Sequence, residues 1–465
     1  MKSIYLIAGL GFGDEGKGTI VDFLTEYKNA NSIVRYNGGP QAAHNVVKNN
    51  IEHCFAQFGS GSLCQTKPKT YLSKNMFVDP LSLLVEKESL EKKLNHNPLE
   101  HLIIDNESYI ITPLHKLVGQ MREISKRTGS CGMGVGEAVR DSNVWKNRSI
   151  KAEDLKDKDN LKNKLNFMWR IKLDQAEQLL DSDPANKELQ NRYNKISQPD
   201  FVDSIVSEYT NFTNQVNIMP DCHKEALKNQ TIIFEGAQGI LLDVNYGFWP
   251  HVTKTDITYK NAEDLIAKTN PNTTKNKIGI LRAYLTRHGA GPFVTENTDL
   301  TNTIPDVHNQ TNTWQDNLRV GYFDLVAAKY SLEVIGNLNS IALTNIDRLT
   351  NKNNVKVCTN YEYAGNENID DYFNYQIIDD KKIINKIKVT KQSDRYHQSK
   401  LADLLNQCTP VYKSFEPWTN NTPEDQNLKT YLDYLESEKA LNTKISILSF
   451  GPESKDKVVY RQELV

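Results

Sequence analysis

The segment Gly9-Leu10-Gly11-Phe12-Gly13-Asp14-Glu15-Gly16-Lys17-Gly18-Thr19 carries the sharpest chemical signal in the chain. Gly11, four further residues and then Gly16-Lys17-Gly18 have phosphate-loop spacing, with Gly18 standing where a magnesium-binding Ser or Thr is normally found. Glycines let successive backbone N–H groups converge on phosphate oxygens, the N-terminus of a following helix favours negative charge, and Lys17 adds a point cation. Taken alone, such a stretch reads equally well as a tight turn with no ligand. Asp14 favours chemistry, because a carboxylate among phosphate-binding amides repels a phosphate unless it holds a metal or accepts a substrate proton.

Further motifs join it. Gly38-Gly39-Pro40-Gln41-Ala42-Ala43-His44 is a second Gly-rich turn after a second apolar run. In a parallel sheet both turns open at the carboxyl edge, where open α/β sheets bind ligands, so His44 is expected to face Asp14. A lone His is more often a satisfied structural group than a catalyst, and its neighbourhood gives this one weight. Phe234-Glu235-Gly236-Ala237-Gln238-Gly239 and Ser130-Cys131-Gly132-Met133-Gly134-Val135-Gly136 each read as a ligand loop or as a plain turn. Thr344-Asn345-Ile346-Asp347 is similar to guanine-reading N/T-K-x-D turns, whose Asp accepts from the base N1–H and 2-amino group; Asn345 occupies the Lys position.

These loops need strands and helices to hold them. The β-branched and apolar run at 3–9 predicts a first buried strand, and helical spacing resumes at 19–24 and continues to Glu26. Short buried strands are predicted at 33–36, 231–234, 278–283, 340–343 and 444–448, with a helix at 323–334 among them. Apolar strands alternating with helices predict an α/β fold with a large, mainly parallel central sheet flanked by helices, of the P-loop NTPase kind. Residues 151–229, rich in Lys, Asp, Asn and Gln with Leu161, Leu165, Met168 and Ile171 at helical spacing, read as a helical insertion. Residues 351–425, polar and Tyr-rich with alternating runs at 356–359 and 375–378, read as a small peripheral β-containing subdomain. Both lie within one domain spanning 1–465, and no internal repeat is present.

Composition excludes several classes. With 56 Lys plus Arg against 58 Asp plus Glu, the net charge of -2 offers no cationic face for coating nucleic acid. No uninterrupted apolar run reaches the ~18 residues of a membrane-spanning helix. The apolar start runs into Asp14 and Glu15 without a small-residue cleavage site, so it reads as a strand rather than a signal peptide. Six cysteines scattered without a C-x-x-C pair fit a reducing cytoplasm.

Taken in order, these segments resemble the adenylosuccinate synthetase family. The resemblance rests on Gly13-Asp14-Glu15-Gly16-Lys17-Gly18; on Val34-Arg35-Tyr36 with Gly38-Gly39 and His44; and on Phe234 to Gly239 with Leu241-Leu242-Asp243, Pro250 and Val252-Thr253. Gly279-Ile280-Leu281, Ala283-Tyr284, Thr286-Arg287 and Gly289-Ala290-Gly291-Pro292-Phe293 follow, and Ser449, Gly451 and Pro452 close the set. It implies a homodimeric enzyme that uses Mg²⁺ and GTP to join IMP to L-aspartate, first phosphorylating the 6-oxygen of IMP. In that chemistry Asp14 takes the N1 proton and helps to bind Mg²⁺, His44 donates to the phosphate oxygens, and Lys17 stabilises the transferring phosphoryl group. The Ala43 carbonyl completes the metal set. Gly13, Glu15, Gly16, Gly18, Gln41, Ser130, Cys131, Gln238, Thr253, Asn345, Asp347, Ser449 and Gly451 are implied as nucleotide-binding, and Thr313 and Arg319 as parts of the second-substrate loop.

The chain departs from the family at several positions. The family's Thr-Thr-Gly-Arg-Arg-Arg-Arg loop, which grips the aspartate carboxylates, corresponds to Thr313-Trp314-Gln315-Asp316-Asn317-Leu318-Arg319, where only Arg319 is cationic. Gln41 replaces Asn, Cys131 replaces Thr and Met133 replaces Arg; the inter-subunit arginine falls near Trp145 or Lys146. Two alternatives stand beside the family reaction: a paralogue with the same phosphoryl activation but another amine or purine, and a nucleotide-binding regulatory protein without ligase activity. Asp14, Lys17 and His44 together oppose the second.

Overall fold

The computed structural model describes residues 2–127, 129–269, 273–304, 314, 318–352, 355–390 and 394–465. Ten strands form one mostly parallel sheet. Their order is Lys457–Val459, Ile445–Ser449, Ser340–Thr344, Lys275–Arg282, Ser3–Gly9, Thr231–Gly239, Ser32–Arg35, Lys69–Leu72, Leu102–Asp105 and Asn217–Met219. The predicted α/β class with flanking helices is the observed one. Ile445–Ser449 is buried at every position and Ser3–Gly9 at all but its first, as expected for strands covered on both faces. One edge is antiparallel, where Lys457–Val459 runs against Ile445–Ser449.

Two compact units make up the chain. One comprises Met1–Ile4, Leu24–Glu235 and Asn261–Thr273. Its core draws Leu114, Val118 and Met121 from helix Pro113–Lys126, Leu161, Leu165 and Met168 from helix Lys158–Asp181, and Val202, Ile205 and Tyr209 from helix Phe201–Thr213. The three- and four-residue spacings place each set on one helical face. Asp157 starts the long helix by accepting from the Asp159 and Asn160 amides. Within 151–229 the chain also forms the strand Asn217–Met219, which pairs in parallel with Leu102–Asp105. Three residues are too few to show a pattern, so the sequence reading holds only helix there.

The other unit comprises Tyr5–Phe23, Gly236–Lys260 and Thr274–Val465. Its helix Leu325–Ile335 starts two residues later than its apolar periodicity predicts, because Phe323–Asp324 form a short strand and the Asp324 carboxylate caps the helix through the Ala327 amide at 3.0 Å. Strands Phe323–Asp324, Val355–Tyr363, Phe373–Ile378, Lys381–Ile387 and Cys408–Phe415 form a second sheet, against which helix Leu325–Ile335 packs; Leu401 and Leu405 of helix Arg395–Leu405 belong to the same apolar core as Phe373, Ile384 and Ile387. Among the described residues no helix is long and apolar enough to cross a membrane, and all six cysteines are free thiols.

Candidate functional site

The strand Ser3–Gly9 feeds the phosphate loop, and helix Lys17–Tyr27 follows it. Gly13 and Gly16 take φ of 102° and 83°, left-handed values that a side chain opposes. The loop is neutralised from within. Glu15 Oε1 accepts from the amides of Gly11 at 3.0 Å and Gly13 at 2.6 Å, while Oε2 lies 2.7 Å from Lys17 Nζ. Lys17 also donates to the Gly13 carbonyl at 2.8 Å. A side chain on Gly9 would collide with this arrangement, its Cβ falling 2.1 Å from Glu15 Oε2. Both charged residues are buried, so removing one strands the other. Glu15→Ala is therefore expected to destabilise the fold by about 3–5 kcal/mol, visible as a lowered melting temperature; an unchanged value would mean that the Lys17 charge is balanced by something else.

Asp14 behaves differently from its neighbour. Its side chain is 26% exposed and pairs with Arg282 at 3.0 Å. It contributes with Glu15, Arg282, Thr286 and Asp324 to the lining of one small cavity. Gln238, at φ 56°, packs its backbone against Gly13, and its Oε1 is buried with no hydrogen-bond partner. Such an atom calls for a ligand or water. Phe234 to Gly239 reads from the sequence as a ligand loop or a plain turn. Here Thr231–Gly239 is all strand, and its last glycine is required because a Cβ on Gly239 would meet the Gly11 carbonyl oxygen at 2.3 Å. Thr253 sits on a loop pinned by Asp243, whose carboxylate accepts from the amides of Asn245, Tyr246 and Ile257.

The base-reading turn leaves the strand Ser340–Thr344. Asn345 adopts φ 57°, a left-handed conformation that Asn tolerates, and starts the short helix Ile346–Leu349 that carries Asp347. Thr344 Oγ1 donates to the Glu15 carbonyl at 2.7 Å, tying this turn to the phosphate loop. Burial pushes the Asp347 carboxyl up, while Arg348 and Lys457 oppose that shift. Ser449 is buried, and its hydroxyl donates to the Gly451 carbonyl at 3.2 Å.

In the first unit His44 opens the strand His44–Lys48 and is 5% exposed. Its Nδ1 lies 2.5 Å from Oε1 of Glu235, a fully buried carboxylate that also accepts from the Ser60 amide at 3.0 Å and from the Ser60 hydroxyl. Parallel register sets Arg35 directly beside Glu235. Burial alone would raise the Glu235 carboxyl, but Arg35, His44 and Ser60 outweigh it and hold it at about 2. Sequence alone assigns neither Arg35 nor Glu235 a role. A charge embedded in an apolar strand was the available signal for each.

A depressed folded-state value means that ionised Glu235 stabilises the fold above pH 4.5, and that this contribution is lost as the pH falls towards 2. Its size is on the order of 3 kcal/mol. The gap in melting temperature between the unaltered protein and Glu235→Gln should accordingly be widest near neutrality and narrow in acid. A gap independent of pH would show that the carboxylate charge is not what holds His44.

Gln41 Oε1 is likewise buried without a partner, whereas Ala43 is exposed. Ser130 is exposed and Cys131 half-buried, in a loop ending at Gly134, which caps helix Val135–Trp145 with φ 78°. That helix is anchored by fully buried Lys172, 2.9 Å from both Glu137 and Asp141, and by His115, 3.1 Å from Asp141. Thr313, Gln315, Asp316 and Asn317 lie outside the described residues. Arg319 is committed locally: it forks onto Glu296 at 2.9 and 2.5 Å and donates to the carbonyls of Gly289 and Gly291.

Residues 6–458 match the family model described as adenylosuccinate synthetase. Adenylosuccinate synthetase of Clostridium botulinum (strain Eklund 17B / Type B) is 31% identical, covering 97% of each chain. That of Flavobacterium johnsoniae is also 31% identical, over 98% of this chain and 99% of its own. Among solved structures, the fully ligated adenylosuccinate synthetase of Plasmodium falciparum superposes with a TM-score of 0.76 at 23% identity, covering 99% of this chain and 100% of that one. The succinoaminodeoxyadenylate synthetase of cyanophage S-2L, bound to dGMP and dATP, gives 0.56 at 14% identity over 99% and 95%. At these identities the two superpositions speak to the fold.

Proposed function

The chain belongs to the adenylosuccinate synthetase family of GTP-dependent purine-biosynthetic ligases, and on that premise we propose that it joins IMP to L-aspartate through a 6-phosphoryl intermediate. One observation carries the reading. The phosphate loop neutralises Glu15 internally and keeps Asp14 as a second, partly exposed carboxylate. A loop meant only to cradle phosphate gains nothing from that second negative charge; a loop that must also take a proton needs it.

Asp14 removes the N1 proton of IMP, so that the 6-oxygen attacks the γ-phosphorus of GTP. The O6–P bond forms, the bond to the bridging oxygen breaks and GDP leaves. Lys17 offsets charge on the transferring group. His44, its Nδ1 held on Glu235, directs Nε2 as a proton donor to the phosphate oxygens, and the buried carboxylate favours the imidazolium that does so. The aspartate amine then attacks C6, the C–N bond forms and inorganic phosphate departs with the former 6-oxygen.

Asp14 supplies a hard oxygen donor suited to Mg²⁺, and the carbonyl of Ala43 supplies another; a bound Mg²⁺ would neutralise phosphate charge. Glu15 has its oxygens engaged by the loop, and Gly13, Gly16 and Gly18 leave room for phosphate. We assign Gln41, Gln238 and Thr253 to IMP, Ser130 and Cys131 to its phosphate, and Asn345, Asp347, Ser449 and Gly451 to guanine. The unpartnered amide oxygens of Gln41 and Gln238 support the first assignment. Thr313 and Arg319 belong to the second-substrate loop. We further propose a cytoplasmic homodimer, with one functional domain over 1–465 that carries insertions at 151–229 and 351–425. The paralogue and regulatory alternatives are not favoured. Incubating the purified protein with IMP, L-aspartate, Mg²⁺ and GTP, leaving out each in turn, should give adenylosuccinate, detected by mass, only in the complete mixture. GTP consumption without that product would return the paralogue reading.

A further inference from the structure

Asn345 deprives the base-reading turn of the lysine that usually accompanies its Asp. A cation reaches the same region from another strand. Lys457 lies opposite Ser449 in the antiparallel edge pair, is 7% exposed, and donates to the carbonyls of Gly451 and Glu453 at 2.8 Å each. It also exchanges an electrostatic attraction with Asp347. Gly451 has no room for a side chain, since a Cβ would fall 2.6 Å from Asp456 Oδ2, so the turn is held closely on both sides.

We propose that Lys457 is a specificity-determining positioning residue of the triphosphate base site, favouring guanine over adenine in place of the lysine that Asn345 lacks. The inference rests on the GTP reading above. The chemistry follows from the base edges. Guanine presents an acceptor at O6 and donors at N1 and the 2-amino group; adenine presents a donor at N6 and an acceptor at N1. With the Ser449 hydroxyl already on the Gly451 carbonyl and the Asp456 amide on that of Glu453, Lys457 fills the second acceptor position of each, so that neither is left for an adenine 6-amino group. Its charge suits a base carbonyl and helps to keep Asp347 ionised as an acceptor for the guanine donors.

Four carboxylates face the ammonium: Asp456 and Glu453 from its own segment, Asp347 from the base turn and Asp22 from helix Lys17–Tyr27. Burial outweighs them and lowers the lysine to about 8. Guanine preference should therefore weaken as the pH rises through that value.

The test is steady-state kinetics with GTP and with ATP, at saturating IMP and L-aspartate, on the unaltered protein, Lys457→Met and Lys457→Arg, with melting curves alongside. Lys457→Met should cut the GTP-to-ATP ratio of kcat/KM by about ten- to hundred-fold, leave the KM for IMP unchanged and abolish the alkaline weakening of the preference. Lys457→Arg should retain much of the ratio, and decides the matter by itself if the Met variant does not fold: a lost ratio in a folded Arg variant counts against the role. Equal use of both triphosphates by the unaltered protein overturns the guanine reading and this role with it. A guanine-preferring protein whose folded Lys457→Met keeps its ratio overturns the role alone.

Discussion

Asp14→Asn should lower kcat by about 10²–10⁴, the usual contribution of a positioned proton-transfer group, while the protein still melts near the unaltered temperature. The substitution keeps the size of the side chain and an acceptor for Arg282 but removes the partly exposed carboxylate of the loop. Without deprotonation at N1, the 6-oxygen of IMP is a poor nucleophile. His44→Asn is expected to fall in the same range for a separate reason: it removes the ring that Glu235 orients. Turnover and melting temperature measured together separate these effects from misfolding. Normal turnover in either folded variant would contradict the assigned role.

A weak grip on L-aspartate is the second large effect expected. Two carboxylates must leave water, and each then needs charged donors. Arg319 is already forked onto Glu296 and bound to two carbonyls. Arg287, 1% exposed, is held by the carbonyls of Ala290 at 3.1 Å and Pro292 at 2.8 Å and stacks over Phe12. The family's other arginine positions are Asp316, Asn317 and Leu318 in this chain. A hydrogen bond to a charged group contributes about 1.5–3 kcal/mol, so two missing partners correspond to roughly 10²–10⁴ in affinity. Titrating L-aspartate at saturating IMP and GTP should give a high Michaelis constant that Asp316→Arg lowers. A micromolar constant made worse by the added arginine would mean that other groups hold the substrate.

Much of this was legible because local chemistry dictates it. Gly13 and Gly16 announce a loop that needs left-handed backbone, and both adopt it. The apolar runs around Ile33, Ile280 and Ile447 mark covered strands, and all three lie in the main sheet. What stayed hidden depends on partners remote in sequence. Nothing local connects His44 with Glu235, 191 residues away, or Asp14 with Arg282. The strand runs on through Gly239, although its glycines read as a ligand loop or a turn, because here Gly239 lets another backbone approach. Arg319 was legible as a cation but not as one already engaged by Glu296.

In the proposed reaction, phosphorylation of the 6-oxygen of IMP precedes its displacement. It is tested most directly with IMP carrying ¹⁸O at the 6-position, incubated with the unaltered protein, GTP, Mg²⁺ and L-aspartate, followed by mass analysis of the inorganic phosphate released. Transfer of the 6-oxygen predicts one ¹⁸O atom in each phosphate formed along with adenylosuccinate. Adenylosuccinate accompanied by unlabelled phosphate would contradict phosphoryl activation of the purine.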